Sequence, residues 1–256
     1  MDGERSSEDK EYVAGLEKGL AVIEAFGILN RPMTLTQAAE VTGHSRASAR
    51  RSLLTLERLG YVERDGKQFR LAPRVLRLGH AYVTSNALSK AVQPMLEAIS
   101  ERTRESTSLA VLDGADVVFV ARAATRRSLA NGLGLGSRLP ASASATGRVL
   151  LAALPVQQAE MLLRRMKRLP LTPYTVTELG ALLAKLDEVR KRGYAASDEE
   201  LQLGLRSLAV PIRDGEGKTI ASMSIVAASS RHSLQSMLDI LLPELESARR
   251  MLESIL

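Results

Sequence analysis

Residues 45–71 read SRASARRSLLTLERLGYVERDGKQFRL. The spacing of apolar residues changes partway along this stretch. From Arg46 to Arg58 the leucines Leu53 and Leu56, with Leu59 just beyond, recur at helical intervals, so a buried helical face is expected. Ser45 stands where an N-cap belongs, and Gly60 closes the helix. Tyr61–Arg64 and Gln68–Leu71 then alternate on either side of Asp65-Gly66-Lys67, the pattern of a β-hairpin. The stretch is therefore a helix followed by a two-stranded wing.

Two more helices precede it. In residues 12–27, Val13, Leu16, Leu20, Ile23 and Phe26 fall near one helical face, and Gly27 suggests its end. Thr34 and Gln37 match a capping box, and Gly43 fits the stop of that second helix. Three helices and a hairpin within about 60 residues make a winged helix-turn-helix. Residues 1–11 read as a polar tail. They contain no apolar stretch of the kind found in a secretory signal.

Pro73 fits the first turn of a connecting helix with Val75, Leu76, Leu78 and Leu88 as its apolar positions, and a further helix is expected over 87–104, with Pro94 tolerated or kinking it. From Thr107 the pattern becomes mixed. Two strands flank Asp113-Gly114, SASATGRVLLAAL is a loop entering a helix, and helices are expected over 155–168 and 177–192. Two strands flank Asp214-Gly215-Glu216-Gly217, and a last helix from 233 to 256 bends near Pro243. The fold class is a two-domain α+β chain. The domain boundaries are 12–72 for the winged helix-turn-helix, 73–88 for the linker helix and 89–256 for an effector-binding and oligomerisation domain.

Composition narrows the chemistry. Among 256 residues there is no cysteine, which excludes disulfides, thiolate nucleophiles and cysteine-ligated metals. The three histidines, His44, His80 and His232, are far apart, and no local pattern predicts a metal site or a cofactor. No run is apolar enough to span a membrane, so the default is a cytoplasmic protein without a membrane partner. The formal charge of +6 is uneven: residues 1–30 carry −4, residues 31–90 carry +7 and the remainder +3. A basic field concentrated on the winged segment draws polyanions through counterion release.

The expected partner of that segment is double-stranded promoter DNA. Arg46 and Arg50 sit at the start of the third helix, where arginine can read guanine with two hydrogen bonds. Arg51, Ser45 and Ser48 suit phosphate oxygens, as do Thr34 at the start of the second helix and Arg64, Lys67 and Arg70 on the wing. His44 fits a turn as well as a phosphate contact, and Tyr61 and Phe69 suit the core of the wing. A single module binds weakly, so a homodimer or homotetramer is expected, with the apolar faces of 13–26 and 75–88 as contacts.

The segments GLEKGLAVIEAF, LTQAAEVTG and RASARRSLLTLERLGYV, together with GSRLPASASATGRVLLAAL and GYAASDEELQLGLRSLAVPIRDGEGKTIASMSIVAASSR, resemble the IclR family of bacterial transcriptional regulators from about Tyr12 to Leu256. LPLTPYTVT makes the chain look most like the subgroup that controls aromatic-acid and β-ketoadipate pathway genes. The resemblance implies a C-terminal GAF-like effector domain, assembly as dimers or tetramers, and a small organic acid as effector. It implies RNA polymerase as a further partner if the protein activates. It places the acid near the backbone of Ala145-Thr146 ahead of Gly147-Arg148, with Leu139 and Leu205 as an apolar wall and Ser197, Ser207 and Ser224 as polar groups. Ser197 stands where relatives that take small keto acids carry Asp, and Val226 where they carry Ser, which favours a larger ring acid.

The residues support an acid site without the family. First-turn amides near Thr146-Gly147 can hold a carboxylate, and Ser144 and Thr146 can donate to it. Ser197 with Glu200 also matches a capping box, and Ser207 and Ser224 could face solvent on strands. Arg122, Arg126 and Arg138 could neutralise an acid, although solvated or paired roles suit them better. Arg206, alternating with Ser207, is expected to face outward. An enzyme acting on a small acid is the alternative, but no GxSxG, P-loop or HExxH is present. The glycine-rich 132–137 lacks a strand–turn–helix context, and Asp198-Glu199-Glu200 lacks converging ligands.

Overall fold

The computed structural model describes residues 12–125 and 133–256. Arg126, Gly132 and the tail over 1–11 lie outside the described residues. The chain divides into two compact units, 1–82 and 83–256.

In the first unit, α1 (Ala14–Leu29) is followed by β1 (Met33–Thr34), α2 (Leu35–Thr42), α3 (Arg46–Arg58), β2 (Val62–Asp65) and β3 (Gln68–Leu71). Strands pair antiparallel in the order β1-β3-β2, so the short β1 adds a third strand to the expected hairpin. Gly66 takes the left-handed position in the wing turn at φ 58°. The capping box of α2 is present: the Thr34 side chain and the Gln37 amide bond, and the Gln37 side chain returns to the Thr34 amide. Val22, Ala25 and Phe26 of α1 pack on Ala38, Ala49, Leu53, Leu56 and Phe69.

Three expectations for this unit are corrected. α1 runs through Gly27 to Leu29 and ends on Asn30, which adopts φ 51°. Its buried face is Val22, Ala25 and Phe26, while Val13 (65%), Leu16 (63%) and Leu20 (47%) remain exposed. The apolar arc of α1 is wider than its contact with the unit, and the core takes the C-terminal side of it. Leu59 is also exposed (51%), because it follows the last helical residue. A 3₁₀ turn (Pro73–Val75) leads into α4 (Leu76–Ser85), none of whose residues is buried.

The second unit begins with α5 (Ala87–Thr103), which accommodates Pro94 inside it. Its sheet comprises β4 (Ser106–Asp113), β5 (Asp116–Ala123), β6 (Arg138–Pro140), β7 (Ala195–Asp198), β8 (Leu205–Arg213) and β9 (Thr219–Ala228). The order is β6-β5-β4-β9-β8-β7, antiparallel throughout. One sheet face packs on α5 and on the C-terminal α9 (Leu234–Ser236), a π turn (Met237–Leu241) and α10 (Leu242–Glu253). The other packs on α6 (Ala145–Ala152), α7 (Val156–Arg165) and α8 (Leu179–Arg192). Where a bend near Pro243 is expected, the helix is interrupted by the π turn just before that proline, which cannot supply the amide of a regular helical ladder and sits in the first turn of α10.

Several boundaries differ from those expected. α7 stops at Arg165, not 168, and α8 starts at Leu179 behind Glu178, whose carboxylate accepts from the Ala181 amide at 2.7 Å. β6 and β7 are extra edge strands of only three and four residues, too short to show an alternating pattern. Ser197 lies inside β7, so it is not an N-cap, and Glu200 is committed elsewhere. No described helix is long and apolar enough to cross a membrane.

Candidate nucleic-acid interface and effector site

The third helix presents Arg46 and Arg50 one turn apart, both exposed. Arg51 is exposed as well, and among the described residues none of the three is held by an ion pair. Two like charges at i and i+4 without a counter-charge cost a helix a few tenths of a kcal/mol, about 0.2–0.5. That cost is recovered when a polyanion supplies the counter-charge. Ser45 caps the helix by accepting from the Ser48 amide at 3.2 Å. Ser48 itself is buried, so its hydroxyl leaves the open face, a correction to its expected phosphate role. On the wing, Arg64 donates to the Gly66 carbonyl at 2.9 Å and lies 5.6 Å from the centre of the Phe69 ring. Arg70 is paired with Glu63 at 2.7 Å, whereas Lys67 is exposed near the tip. Phe69 is buried and Tyr61 packs beside the same core, as expected of wing residues.

In the second unit the face of the sheet toward α6 carries an array of hydroxyls. Residues paired across antiparallel strands point to one face. One row runs Arg122, Ser108, Ser224, Ala209 and Ala195 across β5, β4, β9, β8 and β7. The next runs Ser106, Val226, Ser207 and Ser197. The structure thus brings Ser197, Ser207 and Ser224 together; Ser197 and Ser224 are buried and Ser207 is half-buried. Leu205 stands at the start of β8, two residues before Ser207, and Leu139 on β6 packs against the α6-side core.

α6 lies against this face of the sheet, buried along its whole length. Ser144 caps it, accepting from the Gly147 amide at 3.0 Å. A Cβ at residue 147 would stand 2.2 Å from the Ala141 carbonyl oxygen, so only glycine lets the helix lie so close to the preceding turn. The amides of Ala145 and Thr146 belong to the first turn, where a helix offers no acceptor of its own. Ser197 Oγ reaches the Ala143 carbonyl at 3.5 Å.

A buried ion pair holds this corner. Arg148 is 1% exposed and forks onto Glu200, with Nη1 to Oε1 at 2.6 Å and Nη2 to Oε2, while its Nε donates to the Ser142 carbonyl at 3.1 Å. The hydroxyls of Thr172 and Thr175 donate to the Glu199 and Glu200 carbonyls at 2.8 and 2.6 Å, tying the 169–177 segment to the same point. Burial pushes the Glu200 carboxyl up. Arg148, Lys185 and the Val176 amide pull it down further, leaving it below the ordinary glutamate range. Asp198 and Glu199 are likewise engaged, with Arg206 at 2.6 Å and the Gly204 amide at 2.7 Å. Arg206 is largely enclosed, its Nη1 also donating to the carbonyls of Ser229 and His232.

Family models match both units: the IclR helix-turn-helix domain over residues 15–66 and the bacterial transcriptional regulator IclR C-terminal domain over 80–253. The chain is an IclR-family transcriptional regulator. It is 40% identical over 251 residues to the p-hydroxybenzoate hydroxylase transcriptional activator of Acinetobacter baylyi, covering 96% of this chain and 93% of that protein. It is 38% identical over 251 residues to the Pca operon regulatory protein of the same organism, covering 96% and 90%. Among solved structures, a double mutant of the Acinetobacter PobR inducer-binding domain in complex with 3-hydroxybenzoic acid is 34% identical. It has a TM-score of 0.63 and covers 67% of this chain and 100% of that one. The protein is thus a DNA-binding transcriptional regulator.

Within this IclR regulator, the Arg148–Glu200 pair was not singled out by its sequence. The available signal was a lone arginine inside Ala145–Ala152, a helix whose every residue is buried. Of the arginines able to neutralise an acid, Arg138 is paired with Asp113 at 2.6 Å and Asp116 at 3.1 Å. Arg122 has no carboxylate partner among the described residues.

Proposed function

We propose that this IclR regulator controls genes of aromatic-acid or β-ketoadipate catabolism, switching its promoter affinity when a ring acid binds. The observation that carries the reading is the array of Ser197, Ser207 and Ser224 below the first turn of α6. It lies in a unit similar to a domain solved with 3-hydroxybenzoic acid. Residues 12–72 form the DNA-binding domain, 73–88 the linker and 89–256 a GAF-like effector and oligomerisation domain. Arg46 and Arg50 contact base edges. Arg51, Ser45, Thr34, Arg64 and Lys67 contact the backbone. The effector lies against Leu139, Ala145, Thr146, Gly147, Ser197, Leu205, Ser207 and Ser224.

The working form is a homodimer or homotetramer in the cytoplasm, on a pseudo-palindromic site, with RNA polymerase as partner where it activates. Support for the self-association comes from Leu16, Leu20, Ile23, Leu59 and Leu78, which line one open apolar groove in the first unit. The test is a mobility shift on the DNA upstream of its own gene, with and without 4-hydroxybenzoate or 3-hydroxybenzoate. Specific retardation whose affinity changes with one of these acids is expected. Retardation that is indifferent to every ring acid would remove the aromatic reading, and absence of specific retardation would remove the assigned interface.

A further inference from the structure

Strand β5 carries a bulge that decides where its last residues point. Ala121 pairs with Leu109 and Phe119 with Ala110, leaving Val120 unpaired. Val117 and Phe119 pack on the α6 side, whereas both Val120 and Ala121 pack on the α5 side. A residue inserted into a strand reverses the alternation beyond it. Arg122 is thereby turned onto the α6 face, in the same row as Ser108 and Ser224.

Its surroundings are unusual for an arginine. Its Nη1 is 3.4 Å from Ser108 Oγ, and its guanidinium carbon lies 5.7 Å from the centre of the Phe119 ring. Its Nε is buried without a hydrogen-bond partner, and so is the hydroxyl of Thr125 at the same end of β5. The Thr125 amide donates to Ser106 Oγ at 3.2 Å, in the adjoining row. Other arginines of the sheet, Arg138, Arg206 and Arg213, each face a carboxylate. Among the described residues none faces Arg122. Burial alone pulls its proton affinity down, with no anion to offset it.

We propose that Arg122 is the carboxylate receptor of the effector site: its guanidinium, beside the Phe119 ring, takes the acid group of a ring carboxylate. A half-enclosed guanidinium with an unmet donor is costly until an anion arrives, and a carboxylate meets two of its N–H groups at once. The ring then extends over the neighbouring strands toward the hydroxyls of Ser108 and Ser224 and the first turn of α6. This divides the site into two poles. The α6 end is the weaker claimant for the charge, because Ser144 already occupies the Gly147 amide. The inference rests on the effector reading above and specifies its charge recognition.

The test is isothermal titration of the full chain with 4-hydroxybenzoate and with its neutral counterpart, 4-hydroxybenzamide. The unmodified chain is expected to favour the acid by about 30-fold or more. Arg122→Gln should erase that preference while changing the amide affinity less than about threefold. Arg122→Lys keeps the charge and loses the fork, and should lose about tenfold for the acid. Arg138→Gln, whose arginine already serves two aspartates, should bind as the unmodified chain does. Circular dichroism and the urea midpoint verify folding, and should Arg122→Gln fail to fold, Arg122→Lys carries the decision. Acid binding undiminished in Arg122→Gln, or in Arg122→Lys where that decides, overturns the assignment while leaving the ring-acid effector standing. If the chain binds only an aliphatic acid from a parallel panel of succinate, pyruvate and adipate, loss of that acid in Arg122→Gln upholds Arg122 and removes the ring. If it binds no acid from either set, both readings fall.

Discussion

Among the described residues, Arg148 and Glu200 form the most enclosed charge pair, and they lie between the α6 turn and the segment after β7. Breaking a buried pair from one side is far costlier than never having had it, because the survivor keeps its charge without solvent. Glu200→Gln should therefore destabilise the second unit by about 3 kcal/mol in urea unfolding, and replacing both residues by methionine should recover much of the loss. Acid should expose the same pair. Because the Glu200 carboxyl is held below its ordinary range, its contribution is fully present above the unfolded value, about 4.3, and disappears as pH falls through the lower folded value. Glu200→Gln should flatten the stability–pH curve only in that acidic window, and an unchanged acid limb would show that the pair contributes nothing. Gly147 makes the neighbouring steric point. Alanine there meets the Ala141 carbonyl at 2.2 Å, so Gly147→Ala should lower stability by about 1–3 kcal/mol and displace α6, read as a lowered melting temperature together with weakened effector binding.

The elements differ in how openly their sequences declare them. Ser45, Gly60 and the Asp65-Gly66 turn announced α3 and the wing, because caps and turns depend on residues within a few positions. The exposed side of α1 was not foreseeable, since an arc of Val13, Leu16, Leu20, Ile23 and Phe26 does not say which part of it the unit itself covers. Arg122 was hidden for another reason: its direction depends on a one-residue bulge that leaves no mark in the alternation of DVVFVARA. Ser197 and Ser207 could be placed on one face only by the register of β7 on β8, a long-range fact. On α3, the division of labour is testable by mobility shift. Arg51→Ala should weaken all sequences alike and reduce the salt slope by about 1, whereas Arg46→Ala or Arg50→Ala should relax discrimination at one base pair by about 1–3 kcal/mol. Equal effects of all three on specific and random DNA would mean that none of them reads a base.

At the scale of the whole molecule, the proposed function asks two winged units to act together on one operator, because a single small module carrying the +7 of residues 31–90 binds and discriminates weakly. The exposed half of the α1 arc offers the means. Leu16 and Leu20 contribute little to the core of their own unit, which rests on Val22, Ala25 and Phe26. Charges placed at both positions should therefore leave folding intact while opposing the approach of a second copy. Leu16→Glu with Leu20→Glu is expected to halve the solution mass measured by sedimentation or light scattering, or to turn a tetramer into dimers. Operator affinity should fall by about two orders of magnitude, while binding of 4-hydroxybenzoate to the second unit should be nearly unaffected. The double change separates two roles of the apolar arc: if mass and operator affinity both persist, α1 is only a solvent-facing surface, and the partner contact lies in the second unit.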